Sequence, residues 1–311
     1  MKPSSFSEAV KDIFSAYELA DIAACDFAAE VMQFRKSLDI TTVDGQREYD
    51  LPPDFIKIAV QEKNWRKDVI LYTKSGETQG EAVIRDPRRN FWDYDTDLEQ
   101  QIPGSFDIIP KSLAPTNITG VTTSAGTESN LQATLNDTGA TFTDGSDLVY
   151  PRYRVRNSTP LNESRGVVIE RSSDIKLVTS ISLEGAARGW ASGDSYVIQS
   201  SCKFQLILDY ASNTSGDKFT IDYYCFPSPV FSPYAQWGFP NSSDILGLAA
   251  YVTWLLKIKQ IQEVAVRGNY DPTKLQSDKM YLLYRDCIEK ALLLKQKQFE
   301  STEPSILMRV L

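Results

Sequence analysis

Histidine does not occur anywhere in this 311-residue chain. Its absence removes Ser-His-Asp and Cys-His nucleophile activation, histidine zinc sites, and the side chain most often used as a general base near neutral pH. Cysteine is scarce too. Cys25, Cys202, Cys225 and Cys287 lie far apart and form no CxxC pair, the pattern of reduced core residues rather than of a disulfide frame or metal site. No apolar run approaches the roughly 18 residues that a membrane span needs. The start, Met1-Lys2-Pro3-Ser4-Ser5-Phe6-Ser7-Glu8, lacks the uninterrupted apolar stretch of a signal peptide. An excess of positive charge is also missing. The net charge of −8 argues against a sequence-reading nucleic-acid binder, though it suits a surface that DNA slides past. The expectation is a protein made in the cytoplasm, with no membrane contact, no cofactor and no catalytic activity. Paired-carboxylate or lysine chemistry stays open in principle, but no acid–base pair, nucleophile or metal cluster stands out. The sequon Asn157-Ser158-Thr159 then reads as a chance match in a Thr-rich chain.

What is present is ordinary globular material, 42% hydrophobic and 24% charged, in a length sufficient for two domains or for one with a large insertion. Phe6, Val10, Ile13, Tyr17, Ala20, Ala24, Phe27, Val31 and Phe34 recur at alternating spacings of four and three, which predicts an amphipathic helix on the order of 40 Å long. Ser5 with Glu8 makes a capping box. Residues 241–299 read as a helical hairpin. Its first helix is capped by Ser243 or Asp244 and carries Ile245, Leu248, Ala249, Val252, Leu255 and Leu256 on one face. Arg267-Gly268 stops it, and Asp271-Pro272 starts a second helix with Met280, Tyr284, Cys287, Ile288, Ala291 and Leu294 on a broad face. The N-terminal helix is expected to pack on this hairpin as a three- or four-helix bundle.

Between the helical ends the period changes to two. Val69–Tyr72, Phe106–Ile109, Phe204–Leu208 and Phe219–Tyr224 read as strands, the last two joined through Ser215-Gly216-Asp217 as a hairpin. Asp44-Gly45 is a turn, and Pro52-Pro53, which cannot donate to a ladder, bends the chain out of the sheet before Phe55, Ile56 and Ile58 restart it. From Thr116 to about Gln199 the composition shifts to Thr, Ser, Gly, Asn and Val. Short strands appear there at Gln132–Thr134, Arg152–Arg156, Gly166–Glu170, Lys176–Ser180 and Tyr196–Gln199, suiting a small β-barrel or sandwich. The expected class is α+β: a helical bundle of N-terminal helix and C-terminal hairpin, a small antiparallel sheet, and the inserted β domain. Residues 1–115 and 200–300 form the core, 116–199 the insertion and 301–311 an extension.

Three places belong together: the corner Tyr49-Asp50-Leu51-Pro52-Pro53-Asp54-Phe55, the late segment Phe204-Gln205-Leu206 to Phe219-Thr220-Ile221-Asp222-Tyr223-Tyr224-Cys225-Phe226-Pro227, and Phe239-Pro240 followed at once by the final helices. In this order they resemble the head-to-tail connector (adaptor, head-completion) proteins of tailed bacteriophages. The insertion, with Ala140-Thr141-Phe142-Thr143, Gly166-Val167-Val168, Gly189-Trp190 and Gly193-Asp194-Ser195-Tyr196-Val197-Ile198, looks like a β module appended to many phage virion proteins. It departs at Tyr150-Pro151-Arg152-Tyr153, where that module tends to have a Gly-Asp pair. The resemblance implies a virion neck protein at the portal vertex: a homo-oligomeric ring, typically dodecameric, that contacts the portal protein and tail or nozzle proteins. Double-stranded DNA would pass through it without sequence recognition. Two other readings stand beside this one. The first is another neck or tail structural protein, such as a tail terminator or stopper. The second is a decoration or host-contact protein whose β domain binds carbohydrate.

Within the connector reading, Ile306, Leu307, Met308, Arg309, Val310 and Leu311 are candidates for docking onto the portal or a neighbouring subunit. Their alternative is a disordered end or a strand on their own subunit. Arg85, Arg88 and Arg89, with Asp93, Asp95 and Asp97, are candidates for an inter-subunit clasp, against the plainer reading of a surface loop with internal ion pairs. The acidic run Asp93 to Glu99 begins like an EF-hand loop, but Leu98 stands where Gly is needed and Gly104 where the bidentate Glu is needed. Gly76-Glu77-Thr78-Gln79-Gly80 is a turn, since no helix with Lys-Ser/Thr follows. Trp190, Tyr196 and Trp237 could stack on a sugar; buried aromatics of a small β core are the plainer reading, as for Trp65 and Trp92.

Overall fold

The structure is a computed structural model that describes residues 6–59, 69–73, 80–84, 105–111, 117–129, 132–142, 149–160, 164–180, 189–208, 211, 215–229, 238–239, 241–265 and 278–302. Helix α1 spans Phe6–Val31. Strands β1 (Arg35–Thr41), β2 (Glu48–Asp50), β3 (Phe55–Ile58), β4 (Val69–Thr73), β5 (Gly80–Ile84) and β6 (Ser105–Pro110) follow. Then come β7 (Asn117–Val121), β8 (Glu128–Ser129), β9 (Gln132–Asn136), β10 (Arg154–Asn157), β11 (Arg165–Ser173), β12 (Lys176–Ser180) and β13 (Ser195–Gln199). The chain closes with β14 (Phe204–Leu208), β15 (Lys218–Cys225), α2 (Ser242–Ala265) and α3 (Lys279–Thr302).

The core sheet has eight strands in the order β1-β15-β4-β5-β6-β14-β2, with β3 also paired to β15. Among the described strands of this sheet only β5 and β6 run parallel; the other pairs are antiparallel. Strand β15 is its spine. Phe219, Ile221, Tyr223 and Cys225 alternate inward and are buried, joined by Tyr49, Leu51, Phe55, Ile58, Phe106 and Leu206. At roughly 1.5–3 kcal/mol for each large apolar side chain removed from water, this face dominates the sheet's stability. The Leu-Pro-Pro corner fits between β2 and β3, and residues 51–55 are all buried. Leu51 N–H donates to Phe204 C=O, and Phe55 N–H to Pro52 C=O, so the corner satisfies its own backbone as it turns.

The three helices share a second core. Ala23, Ala24, Phe27 and Val31 of α1 meet Leu248 of α2, Tyr284, Ile288 and Ala291 of α3, and Phe239. The α2–α3 pair is antiparallel, with Tyr251 stacked on Tyr284 at 4.2 Å between ring centres and Trp254 4.8 Å from Tyr281. Gly247 permits close approach, since a Cβ there would lie 2.7 Å from the Cβ of Cys287. Asp278 accepts a bond from the N–H of Met280, the N-cap geometry that starts α3 as described. Asp271-Pro272 and Arg267-Gly268 lie outside the described residues.

The inserted domain is a seven-stranded antiparallel sheet, β7-β13-β10-β11-β12-β9-β8. Beyond β7, Thr123 N–H donates to Asn136 C=O, so the chain rejoins β9 and the sheet rolls around Leu135, Phe142, Val155, Leu177, Tyr196 and Ile198. The domain leaves and returns at neighbouring points. Phe204 pairs with Pro110, and Lys111 N–H donates to Lys203 C=O at 2.8 Å.

The expected architecture requires correction. Among the described residues an eight-stranded and a seven-stranded sheet form the body, accompanied by three helices of 26, 24 and 24 residues. The fold is mostly β, not a helical bundle carrying a small sheet. The strands that tip the balance carry weak local patterns. In β1, Arg-Lys-Ser-Leu-Asp-Ile-Thr offers only Leu38 and Ile40 as apolar residues, and it is a strand because it pairs with β15 from end to end. The helix seam likewise ends at Val31 instead of Phe34, where Met32 takes a left-handed φ of 52°. The expected β14–β15 hairpin does not form, since β14 pairs with β6 and β2 while β15 pairs with β1, β3 and β4. Ser215-Gly216-Asp217 closes β15 onto β1 instead, with Gly216 N–H donating to Thr42 C=O and Thr42 N–H to Asp217 C=O. On α2, Ile245 lies outside the buried face at 51% exposure, and on α3 Leu294 is also exposed.

Candidate functional site: the junction of helices, core sheet and inserted domain

A group of polar contacts between distant parts of the chain lies around α1, the start of β1, the Leu-Pro-Pro corner and the loop after β15. The corner supplies Asp54. Its side chain is nearly buried and accepts from the Tyr223 hydroxyl at 3.1 Å and from Lys36 Nζ at 2.6 Å, while its carbonyl accepts from Phe226 N–H. Burial, helped by the Asp54 charge, pushes the Tyr223 phenol above its usual pKa and keeps it a donor.

One turn of the inserted domain reaches the same place. Arg152 sends its guanidinium across to α1, where both terminal nitrogens meet the carboxylate of Asp21 at 2.7 and 3.0 Å. The second nitrogen also donates to the Pro227 carbonyl at 2.6 Å, and the group lies 5.9 Å from the centre of the Phe226 ring. Burial penalises the guanidinium charge, but Asp21 and its neighbours outweigh this and hold Arg152 more firmly protonated than usual. Its backbone takes a φ of 76°, a conformation that costs a non-glycine residue roughly 1–2 kcal/mol. Ser201 Oγ donates to the Arg152 carbonyl, and the Tyr153 hydroxyl lies 3.1 Å from Cys202 Sγ, which closes the domain's own side of the contact.

Lys295 of α3 completes the junction. It donates to the carbonyls of Val31 and Met32 and lies 4.6 Å from the centre of the Tyr224 ring, which caps the end of α1. Burial lowers its pKa. Beside it opens a cleft of about 210 Å³, lined among others by Phe34, Arg35, Lys36, Phe226 and Pro227.

Burial pushes the Cys25 thiol up to about 12, with Arg152 pulling the other way, and Cys225 up to about 11; Cys202 and Cys287 are raised for the same reason. Among the described residues no group of three or more Cys, Asp or Glu side chains is arranged to hold a metal ion, and no helix is long and apolar enough to cross a membrane. The geometry of the junction is that of a fastening.

The structure treats the sequence-derived candidates unevenly. Arg85, Arg88, Arg89, Asp93, Asp95, Asp97 and the segment Ile306, Leu307, Met308, Arg309, Val310, Leu311 lie outside the described residues, as do Trp65, Trp92 and Trp237. Trp190 and Tyr196 are both buried and meet edge to face at 6.5 Å, so they form core rather than a stacking platform. Asn157 of the sequon is fully buried and donates to Asp194. Arg152, Asp21, Lys36, Asp54 and Lys295 were not among the candidates. The signals near them were the Leu-Pro-Pro corner, which contains Asp54, and the departure at Tyr150-Pro151-Arg152-Tyr153; neither revealed a partner, and Arg152 was read as the start of a strand that begins at Arg154.

No family model matches the chain, and neither a curated protein nor a solved structure does.

Proposed function

We propose that the chain is a structural subunit of the neck of a tailed bacteriophage, an adaptor that joins the portal vertex to the tail and forms part of the DNA channel. One arrangement supports this reading. The two ends of the chain, α1 and the α2–α3 pair, form one helical layer beside a sheet built around the Leu-Pro-Pro corner and β15, the segments on which the resemblance rests. The inserted domain stands apart from that sheet, with its own core. Such a subunit offers a rigid body to its neighbours and separate surfaces above and below. The antiparallel α2–α3 pair also leaves Leu246, Leu292 and Leu293 exposed near one end, an apolar surface suited to a neighbouring subunit. In the ring, Arg85, Arg88 and Arg89 would meet Asp93, Asp95 and Asp97 of the next subunit. Residues 306–311 would dock on the portal or a neighbour, and the net negative charge would keep passing DNA from sticking.

The test is mass measurement of the purified protein, alone and with a portal complex. A monomer that assembles into a ring when portal is added is the expected result. A small oligomer that ignores portal and binds glycans overturns the proposal. Removing residues 304–311 should abolish portal binding while leaving the far-ultraviolet circular dichroism and melting temperature unchanged.

A further inference from the structure

Two facts about the inserted domain pull in different directions. Covalently it belongs to β6 and β14, which lie side by side and hand the chain out and back at Lys111 and Lys203. Non-covalently it is tied beside that point, where Ser201 Oγ donates to the Arg152 carbonyl and the Tyr153 hydroxyl meets Cys202 Sγ, and again farther off, where the Arg152 guanidinium reaches Asp21 on α1 and the Pro227 carbonyl after β15. No strand of its sheet pairs with a described strand of the core sheet.

We infer that Arg152 is a positioning residue that sets the orientation of the inserted domain, coupling it to helix α1 and the loop after β15 in addition to the strands that carry it. A pair of linkers at one point fixes where a domain is attached but leaves it free to swing. A second attachment away from that point removes the swing. The guanidinium suits this task because its planar fork meets the Asp21 carboxylate at two atoms, which fixes direction as well as distance. The pair is also well enclosed, with side-chain exposures of 13% and 16%, so water competes poorly for it. The left-handed backbone at Arg152 belongs to the Tyr150–Tyr153 turn, in which Tyr153 N–H donates to the Tyr150 C=O at 3.3 Å. The inference does not rest on the neck assignment; it holds for whatever the inserted domain contacts. Its consequence is directional: a partner that displaces α1 turns the inserted domain with it.

The experiment is ¹⁵N relaxation on the full chain, read separately for amides of residues 117–199 and for those of the core sheet. The unaltered protein should tumble as one body, with a common correlation time for the two sets. In Arg152→Ala the inserted domain should remain folded, with its dispersed amide spectrum intact, but show a shorter correlation time than the core. Asp21→Asn should loosen it partly, and the reciprocal pair Asp21→Arg with Arg152→Asp should restore common tumbling. Any of three results overturns the inference: separate tumbling in the unaltered protein, common tumbling retained in Arg152→Ala, or loss of the inserted domain's own spectral dispersion in Arg152→Ala. The last would make Arg152 a folding residue of that domain. If Arg152→Ala fails to fold at all, the exchanged pair decides: common tumbling supports the inference, and separate tumbling ends it.

Discussion

Replacing Asp54 by Ala tests the corner on which the core sheet turns. The Asp54 carboxylate is the acceptor for the hydroxyl of Tyr223, a residue only 3% exposed, and for Lys36 Nζ, whose side chain is 46% exposed. The two partners respond differently to its loss. Tyr223 keeps its ring in the core and is left with an orphaned hydroxyl, a penalty of about 1–3 kcal/mol. Lys36 swings into water and loses about 0–1 kcal/mol, as exposed pairs do. Asp54→Ala should therefore destabilise by roughly 2–3 kcal/mol, and Lys36→Ala by less than about 1 kcal/mol. Tyr223→Phe removes the donor together with its need for an acceptor. Combined with Asp54→Ala it should cost about 1 kcal/mol or more less than the sum of the two single changes. The assay is equilibrium urea unfolding of the unaltered protein and these four variants, read as shifts in midpoint at constant slope. Strict additivity, or a cost for Asp54→Ala below about 0.5 kcal/mol, would refute the claim that the buried hydroxyl depends on this carboxylate.

Gly247→Ala should destabilise by about 1–3 kcal/mol, because the added Cβ meets Cys287 at 2.7 Å and pushes α2 off α3; thermal melting measures it. Asp278 caps α3 and pairs with Lys257, and these bonds hold its carboxyl below the usual range. With a folded pKa depressed below the unfolded one, its contribution is complete above the unfolded value near 3.9 and fades as pH falls through the lower folded one. Asp278→Ala should thus lower the melting temperature at pH 7 and make little difference in strong acid. The four thiols, all raised by burial, should react slowly with a disulfide reagent at pH 8, and all should become reactive together in denaturant. Phe27→Asp should melt the packing of all three helices at once, seen as loss of the near-ultraviolet signal of the Tyr251–Trp254–Tyr281–Tyr284 stack.

The sequence disclosed the elements whose pattern is local. The α1 seam through Ala24, Phe27 and Val31 and the alternation of Phe219, Ile221 and Tyr223 appear in the structure where periodicity put them. It disclosed less about proportion. Strand β1 has almost no apolar pattern of its own, and Gly80-Glu81-Ala82-Val83-Ile84 follows a segment read as a turn. Strand β1 acquires its geometry from β15, distant in sequence, and the strand Gly80–Ile84 from its ladder with β4 just before it. That is why a mostly β fold read as a helical bundle with a small sheet.

The junction was the least visible part. Asp21 and Arg152 stand 131 positions apart, Asp54 and Tyr223 169 apart, and Lys295 lies more than 260 residues from the carbonyls it caps. By itself the sequence determined which segments could bury a face, where the chain must turn at Pro52-Pro53, and which chemistries the absence of histidine removes. Only the tertiary structure decided which strands neighbour one another and which charge answers which. Periodicity depends on residues a few positions apart. A salt bridge or sheet register depends on where two distant segments meet, and that is set by the packing of the whole chain.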